Sequence, residues 1–244
     1  MIRPMPLAEY LKPNTAVRPG PPSGECWTPP EKSKGLRHFK FSSKGNFRGA
    51  MVLDGVSVES ESLGERKGTL VIRARPDTLR VVEQSPQIDY LGADGVVLTH
   101  TFDLKVFKTC GSTVAADFKP SALVAKSGIR EQHRLMAPQM SPCDADEILV
   151  MTERMYSRID VFNATLMHAM LRQTFPEDDE TMHRIVARMN GPSAIADLVK
   201  KSRAGAYGFG AVVRAIATGH LRMSGPEACR IDYDAVVAPV RPEH

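Results

Sequence analysis

Three short sets of residues pair an acid with a lysine two positions later. They are Glu65-Arg66-Lys67, Asp103-Leu104-Lys105 and Asp117-Phe118-Lys119. Because 25% of the residues are charged, such sets also arise by chance, so their place in the fold decides whether they do chemistry. Side chains two residues apart on a strand project from the same face, and we expect the Asp117 carboxylate and the Lys119 ammonium to project together.

The segment that contains Asp103 and Asp117 has the pattern of a β-hairpin. The alternating run VVLTHTFDLKVF precedes the turn KTCG, and the run STVAADFKP follows it. Pairing across two antiparallel strands brings side chains to about 5 Å from each other. Two carboxylates at that distance repel unless a proton or a cation lies between them, and carboxylates with water suit Mg²⁺. We therefore predict that Asp103 and Asp117 bind Mg²⁺, with Mn²⁺ as an alternative.

A cation held there would favour hydrolysis of a phosphodiester. It would lower the pKa of a bound water and neutralise charge on a phosphate. Lys119 would position or deprotonate the attacking water and stabilise the developing negative charge. Glu65, on a flanking helix, would complete the set. The alternative is that Asp103 and Asp117 face solvent and form surface ion pairs with Lys105 and Lys119, each worth less than about 1 kcal/mol.

The sequence predicts a helix and a sheet around these residues. Ser60 and Ser62 are the candidate N-caps of a helix, and Glu65 follows Ser62 at the spacing of a capping box. The run TLRVVEQSPQIDYL predicts a pair of strands ahead of the hairpin. Beyond the hairpin, SALVAKSGIREQHRLMAPQ predicts a helix and the apolar run ADEILVMTE predicts a further buried strand.

From about Met155 onwards the sequence becomes mainly helical. Four segments with helical periodicity follow one another with turn signals between them, and Gly219 stands where a helix commonly ends in a glycine. The final run CRIDYDAVVAPV predicts a short strand. Helices followed by a strand predict a small winged-helix-like second domain.

Basic residues are concentrated near the N-terminus. Residues 1–50 contain nine Lys and Arg against three Glu, which indicates contact with a polyanion. The predicted DNA-binding residues of this region and of a later helix are Arg37, Lys40, Lys44, Arg48, Lys200 and Lys201. An alternative stays open for each group. Residues 37–48 could be a solvated surface segment, and Lys200 and Lys201 could complement the dipole of their own helix.

Cysteines and histidines give no recognisable metal motif. None of the four cysteines forms a close pair, and the seven histidines are dispersed, so neither a zinc site nor a redox motif is predicted. His100 lies three residues before Asp103 and could approach it, with a packed or solvated strand histidine as the alternative.

Composition indicates an ordinary globular protein. The 244 residues include 42% hydrophobic side chains and carry a net charge of +4, and no apolar run reaches the roughly 18 residues that a membrane span needs. The N-terminus has no apolar signal core, and four scattered thiols fit a reducing compartment. We therefore expect a cytoplasmic protein that is associated with the nucleoid when it binds DNA.

The order of these motifs resembles a known nuclease family. The segment ESLGERKGTLVIRARPDTLRVVEQSPQIDY, then HTFDLKVF, then STVAADFKP is similar to the N-terminal nuclease domain of TnsA, the endonuclease subunit of heteromeric cut-and-paste transposases. The resemblance covers about residues 36–160. It implies an α/β fold, in which a restriction-endonuclease-like mixed sheet flanked by helices is followed by a small, mostly helical winged-helix-like domain. The corresponding domains are a flexible arm at 1–35, a nuclease domain at 36–155 and a partner-docking domain at 156–244.

Matched residue by residue, the resemblance implies the parts of an active site. Glu65 matches the helix glutamate, Asp103 the strand aspartate that binds metal, Asp117 the second acid and Lys119 the catalytic lysine. The resemblance also implies that the main-chain carbonyl of Phe118 binds the metal. The implied metal ligands are therefore Glu65, Asp103, Asp117 and Phe118.

The resemblance implies a metal-dependent DNA endonuclease that hydrolyses the 5′-end strands at transposon ends during DNA transposition. Its partners would be double-stranded DNA, an integrase-like transposase subunit and an ATP-dependent regulator of transposition. Two alternatives stay open. One is a restriction or repair-type nuclease of the same fold, and the other is a non-catalytic DNA-binding assembly subunit.

Overall fold

The computed structural model describes residues 29–36, 47–173, 175–225 and 229–241, and the predictions for Arg37, Lys40 and Lys44 lie outside them. By its contacts the chain divides into residues 1–30 and 31–244, and every element named below belongs to the second unit. The strands are β1 (Gly49–Leu53), β2 (Val56–Ser60), β3 (Thr78–Glu83), β4 (Gln87–Leu91), β5 (Val97–Thr101), β6 (Leu104–Lys108), β7 (Thr113–Phe118), β8 (Glu147–Met151), β9 (Ser193–Ala194), β10 (Leu221–Met223) and β11 (Val236–Pro239). The α-helices are α1 (Leu63–Arg73), α2 (Val124–Ser127), α3 (Ile129–Met136), α4 (Arg158–Leu171), α5 (Pro176–Ala187), α6 (Ile195–Ser202) and α7 (Ala206–Ala217), with 3₁₀ turns at Ala137–Gln139 and Glu153–Met155.

A four-stranded mixed sheet contains the predicted hairpin. Its order is β3-β6-β7-β8, in which β3 and β7 run antiparallel to β6 and β8 runs parallel to β7. The hairpin is confirmed as β6 and β7, with Leu104 opposite Ala116 and Phe107 opposite Thr113. The predicted mixed α/β architecture, a mixed sheet flanked by helices, is confirmed at this level.

The structure corrects the predicted pairing of the earlier strands. The run TLRVVEQSPQIDYL does contain two strands, but β3 pairs with β6 while β4 pairs with β5. The run VVLTHTFDLKVF is not one strand, because it breaks at Phe102 and Asp103 into β5 and β6. Local alternation predicts that a strand forms but not which distant strand it pairs with, so the pattern identified the strands and missed their partners.

The two faces of the sheet pack against different helices. Successive strand residues point to opposite faces, so β7 contributes Ala116 to one core and Ala115 to another. Ala116 belongs to a core that includes Ile72 of α1. Ala115 belongs to a core that includes Met136 of α3. The end of β7 therefore lies between two helices that can both supply side chains to a site.

Helix α1 begins where the sequence predicts and packs closely on β7. Ser62 is its N-cap, with the hydroxyl accepting a hydrogen bond from the Glu65 N–H at 3.1 Å. Gly68 is buried, and a Cβ atom there would lie 2.0 Å from a ring carbon of Phe118. Glycine is therefore what lets this helix approach the strand that carries the site.

The C-terminal part builds a separate core from four helices and a small sheet. Helices α4 to α7 are accompanied by the antiparallel sheet β10-β11-β9. Its most buried residues include Leu198 of α6, Val213 of α7 and Val237 of β11. Gly219 follows α7 with a φ of +79°, as predicted for a glycine that ends a helix. The predicted helices and final strand are confirmed, while their winged-helix arrangement stays a prediction.

Within the described ranges, no helix combines the length and the apolar character needed to cross a bilayer.

Candidate active site

Asp103 lies in the bend between β5 and β6, where two main-chain contacts hold it. Its Oδ2 accepts a hydrogen bond from the Phe118 N–H at 2.8 Å, and its carbonyl accepts one from the Gln84 N–H at 2.8 Å. The sequence predicted Asp103 within an arm of the hairpin, whereas it precedes β6 by one residue. A bend releases the residue from strand alternation, so its carboxylate can turn onto the main chain of β7.

Glu65 lies in the first turn of α1, and capping contacts fix its position. Its N–H donates to the Ser62 hydroxyl, as the capping-box spacing predicts. Its carboxylate accepts from the Glu61 N–H at 2.7 Å rather than from the Ser62 N–H that a regular capping box uses. The half-buried carboxylate therefore stays at the N-terminal end of the helix, next to the end of β7.

Glu65 and Lys119 line one cavity of about 490 Å³, together with Phe118. Lys119 is half-buried, and its N–H donates to the Met151 carbonyl at 2.9 Å, which fixes the chain as it leaves β7. Neither Asp103 nor Asp117 is among the described residues that line this cavity. The structure thus brings Glu65, Phe118 and Lys119 to the same opening.

The alternative of two surface ion pairs is wrong. The Asp117 side chain is only 2% exposed, and the Asp103 carboxylate is bound to the main chain of Phe118. The Lys105 ammonium donates to the carbonyl of Cys143 at 2.8 Å. Within the described part of the chain, neither aspartate forms an ion pair with a lysine.

Burial and charge raise the pKa of both carboxyl groups near the cavity. Desolvation is the main cause for Asp103 and, with the negative charge of Glu65, raises its pKa to about 7 against the opposing hydrogen bond from the Phe118 N–H. Burial likewise raises the pKa of Glu65, against the hydrogen bond from the Glu61 N–H. Carboxyl groups in such a position gain from taking up a proton or a nearby cation at neutral pH.

The donor atoms of this site fit a hard divalent cation. Across the described residues, the second oxygen of Asp103, Oδ1, has no hydrogen-bond partner. The carboxylate of Glu65 and the carbonyl of Phe118 add further oxygen donors, and oxygen is the ligand that Mg²⁺ prefers. A cation among them would also offset the repulsion that raises the Asp103 pKa.

Asp117 is held by two histidines on the α3 side of β7. Its Oδ2 lies 2.9 Å from Nε2 of His100 and 2.6 Å from Nε2 of His133. Burial taken alone raises the pKa of Asp117, but the two imidazole contacts outweigh it and lower the pKa to about 2. The sequence indicated that His100 could approach the site. It gave no sign of His133, because a single histidine on a helix carries no spacing that links it to a distant aspartate.

Three of the predicted DNA-binding residues are described. Lys200 and Lys201 are exposed in the last turn of α6, where they can meet phosphates and also complement the helix dipole. Arg48 is half-buried, and its Nε and Nη1 atoms have no hydrogen-bond partner among the residues that the structure describes. The Arg48 guanidinium is therefore less accessible than the sequence predicted.

No protein-family model matches this chain, and no curated protein sequence matches it.

Proposed function

We propose that this protein is a metal-dependent DNA endonuclease whose active site contains Glu65, Asp103 and Lys119. The observation that carries the proposal is the 2.8 Å hydrogen bond from the Phe118 N–H to the Asp103 carboxylate. This carboxylate is near Glu65, whose charge, after desolvation, helps to raise the Asp103 pKa. The hydrogen bond holds Asp103, in the bend before β6, against Phe118 at the end of β7, one residue before Lys119. Glu65 and Lys119 supply a carboxylate and an ammonium to the cavity, and Asp103 adds a second carboxylate near Glu65. These are the groups that phosphodiester hydrolysis needs.

In this proposal Asp103, Glu65 and the carbonyl of Phe118 hold Mg²⁺, or Mn²⁺ in its place. Asp117 can add only its Oδ1, because its Oδ2 contacts two imidazoles. When bound, the cation would lower the pKa of a water molecule and neutralise charge on a phosphate. These ligands are all oxygen atoms, in agreement with the preference of Mg²⁺.

The protein's own groups position the reacting atoms. The Lys119 ammonium would donate hydrogen bonds to the scissile phosphate and stabilise the negative charge that develops there. Its backbone is fixed by the bond from its N–H to Met151. The bond between Asp103 and the Phe118 N–H orients the carboxylate before any substrate arrives, so less order has to be gained during the reaction.

The resemblance to TnsA extends the proposal to a transposase subunit. Its substrate would be the 5′-end strands at transposon ends in double-stranded DNA, in the cytoplasm, with an integrase-like transposase and an ATP-dependent regulator as partners. The mixed sheet flanked by helices is compatible with a restriction-endonuclease-like domain, and α4 to α7 with their small sheet are compatible with a winged-helix-like docking domain. The exposed Lys200 and Lys201 would contact DNA phosphates.

A strand-specific cleavage assay tests the proposal. The protein, the integrase-like transposase and labelled element ends are incubated with Mg²⁺, and the two strands are resolved on a denaturing gel. We expect cuts in the 5′-end strands that leave a 5′-phosphate and a 3′-hydroxyl. Asp103→Asn should abolish these cuts, because it removes a charged metal ligand. Lys119→Ala should slow them by about 10²- to 10³-fold, because it removes the positive charge at the phosphate.

Two matched variants control for the loss of a charge as such. Asp77→Asn removes an aspartate that accepts from the Lys108 ammonium at 2.8 Å, and Lys105→Ala removes a lysine bonded to the Cys143 carbonyl. Both should cut like the wild type. Equal cutting by Asp103→Asn and the wild type, or no cutting by the wild-type complex, would contradict the proposal.

A further inference from the structure

A second cluster of metal-binding side chains lies on the α3 side of β7. It consists of His100 at the end of β5, Asp117 in β7 and His133 in α3, whose ligand atoms all lie within 4.8 Å of one another. The two imidazole Nε2 atoms contact the same carboxylate oxygen, at 2.9 Å for His100 and 2.6 Å for His133. Three elements that are distant in sequence thus bring two nitrogens and a carboxylate to one point.

Packing holds the two imidazole rings in place. The fully buried Phe102 ring has its centroid 4.7 Å from that of His100 and 5.5 Å from that of His133. The side chains of His100, Asp117 and His133 are 16%, 2% and 10% exposed. The carboxylate is therefore buried, while each imidazole side chain keeps some exposure to solvent.

His100 has a further partner on its second ring nitrogen. The side-chain amide nitrogen of Gln132 lies 3.3 Å from Nδ1 of His100 and 3.0 Å from the Tyr90 hydroxyl. Rotation of the amide by half a turn places its oxygen there instead, as an acceptor for a proton on Nδ1 and for the Tyr90 hydroxyl. An acceptor at Nδ1 keeps the ring proton on that atom and leaves Nε2 to bind a metal.

We propose that His100, Asp117 and His133 form a binding site for a divalent transition metal, with Zn²⁺ as the ion that fits best. Imidazole nitrogens suit Zn²⁺ and related ions, whereas Mg²⁺ prefers oxygen ligands alone. Two histidines and one carboxylate leave a further position for water or a ligand, as in zinc sites that have three protein ligands. The site differs from the Asp103 and Glu65 site and does not rest on the nuclease proposal.

A purely structural role for the histidines makes a different prediction. Imidazoles that only stabilise the buried Asp117 carboxylate need a proton on Nε2, and another N–H donor in the same place would serve. A metal needs both Nε2 atoms without a proton. Glutamine offers an N–H donor of similar reach but no imidazole nitrogen, so His133→Gln separates the two roles.

Calorimetric titration of Zn²⁺ into EDTA-treated and dialysed protein tests the site. We expect the wild type to bind one Zn²⁺ per chain in this cluster, and millimolar Mg²⁺ should not displace it. His133→Gln should bind Zn²⁺ at least about 100-fold more weakly than the wild type. Loss of a residue that only hydrogen-bonds a metal ligand already lowers metal affinity by up to about 100-fold, and His133 is proposed as a ligand itself. Co²⁺ should give visible absorption bands with the wild type and lose them with the variant.

The outcome stays decisive if one variant folds poorly. Circular dichroism checks the fold of His133→Gln, and His100→Gln gives a second, independent loss of one nitrogen. Zn²⁺ affinities equal to that of the wild type in both variants, or no binding by the wild type, would overturn the proposal.

Three further variants locate the ion. His183 and His220 are an exposed pair with ring centroids 4.3 Å apart, and His220→Ala should leave Zn²⁺ binding unchanged. Loss of binding in His220→Ala would assign the ion to that surface pair and overturn the proposal. Gln132→Ala should weaken binding by about 10- to 100-fold, as expected for a positioning residue. Asp103→Asn should retain Zn²⁺ while losing Mg²⁺, so failure of one site is distinguishable from failure of the other.

Discussion

At the scale of single residues, the Asp103 carboxyl combines burial with a neighbouring negative charge. Desolvation and then the charge of Glu65 raise its pKa to about 7, whereas an unfolded aspartate has a pKa of about 3.9. Between those two values the folded protein binds more protons than the unfolded chain. The free energy of unfolding attributable to Asp103 therefore falls as the pH rises from about 4 to about 7, and is level above that.

Asp103→Asn should stabilise the metal-free protein at neutral pH. Asparagine keeps an oxygen that can accept from the Phe118 N–H and removes the buried charge, so the free energy of unfolding should rise by about 1 kcal/mol or more. The free energy of unfolding of the variant should also change less with pH between about 4 and 7 than that of the wild type. Urea unfolding in EDTA at a series of pH values measures both effects, and parallel curves for the two proteins would contradict the raised pKa.

Asp77→Asn is the control for Asp103→Asn, because the pKa of Asp77 is lowered and its removal should destabilise the protein. Hydrogen bonds from Arg75 and Lys108 lower the Asp77 pKa to about 2, so its contribution to stability is present above about pH 4 and is lost as the pH falls towards 2. Because the side chain is 47% exposed, we expect the variant to lose less than about 1 kcal/mol at neutral pH.

Lys119→Met should separate metal binding from cleavage. Burial raises the pKa of Asp103 and Glu65, and the nearby positive charge of Lys119 opposes that rise only as the smallest cause. The same ammonium would repel a cation held by these carboxylates, so its removal should leave Mg²⁺ binding as tight as in the wild type or tighter. Cleavage should fall by about 10²- to 10³-fold, the usual cost of removing one group that stabilises developing charge. Cleavage rates and Mg²⁺ calorimetry on one preparation check this. Weaker Mg²⁺ binding by the variant would mean that Lys119 supports the site's structure instead.

At the scale of elements, local signals in the sequence predicted more than non-local ones. The start of α1 at Ser62 and the β6–β7 hairpin follow from capping and alternation, which depend on near neighbours. The bend at Asp103 interrupts an alternation that continues on both sides, so the pattern gave no sign of it. The contact of Asp117 with His133 joins a strand to a helix through packing, which no spacing rule encodes. The acids could be identified from the sequence, with His100 as a residue near them, but not His133 or the main-chain contact of Asp103.

Gly68→Ala should destabilise the protein although alanine favours helices. Its Cβ would lie 2.0 Å from the ring of Phe118, so helix and strand must separate, at a cost of about 1–3 kcal/mol. This exceeds the gain of about 1 kcal/mol in helix propensity. Chemical denaturation measures the change.

Gly64→Ala in the same helix is the matched control for Gly68→Ala. The nearest atom to its added Cβ is the Ser62 hydroxyl oxygen at 3.7 Å, an ordinary contact, so this variant should be neutral or slightly stabilised. Equal stability changes in the two variants would show that the contact between Gly68 and Phe118 is not as close as described.

At the scale of the whole molecule, helix α4 joins the elements around the main sheet to the C-terminal core. His168 of α4 contacts the Leu70 carbonyl of α1 at 3.0 Å, and Arg172, just after the helix, donates to the Val52 carbonyl of β1 at 2.8 Å. Leu166, Met167 and Met170 of the same helix pack against the C-terminal core. A substitution in α4 should therefore affect both the packing around α1 and β1 and the C-terminal core.

Asn163→Ala should loosen the attachment of the C-terminal segment to α4. The Asn163 side chain donates to the Cys229 carbonyl and accepts from the Ile231 N–H, both at 2.9 Å. Loss of both bonds should cost about 1–3 kcal/mol, since each contributes about 0.5–1.5 kcal/mol. Thermal and urea unfolding check this, with the exposed Thr165→Ala as a control that should stay within about 0.5 kcal/mol of the wild type. A loss no larger than that of the control would contradict the assigned role.

The most direct test of the proposed active site is a calorimetric titration of Mg²⁺ into the wild type and Asp103→Asn, with His133→Gln as the control. We expect the wild type and His133→Gln to bind Mg²⁺, and Asp103→Asn to lose this binding because its amide supplies no negative charge to the cation. Equal Mg²⁺ binding by the wild type and Asp103→Asn, or no binding by the wild type, would contradict a metal-dependent nuclease site at this end of β7.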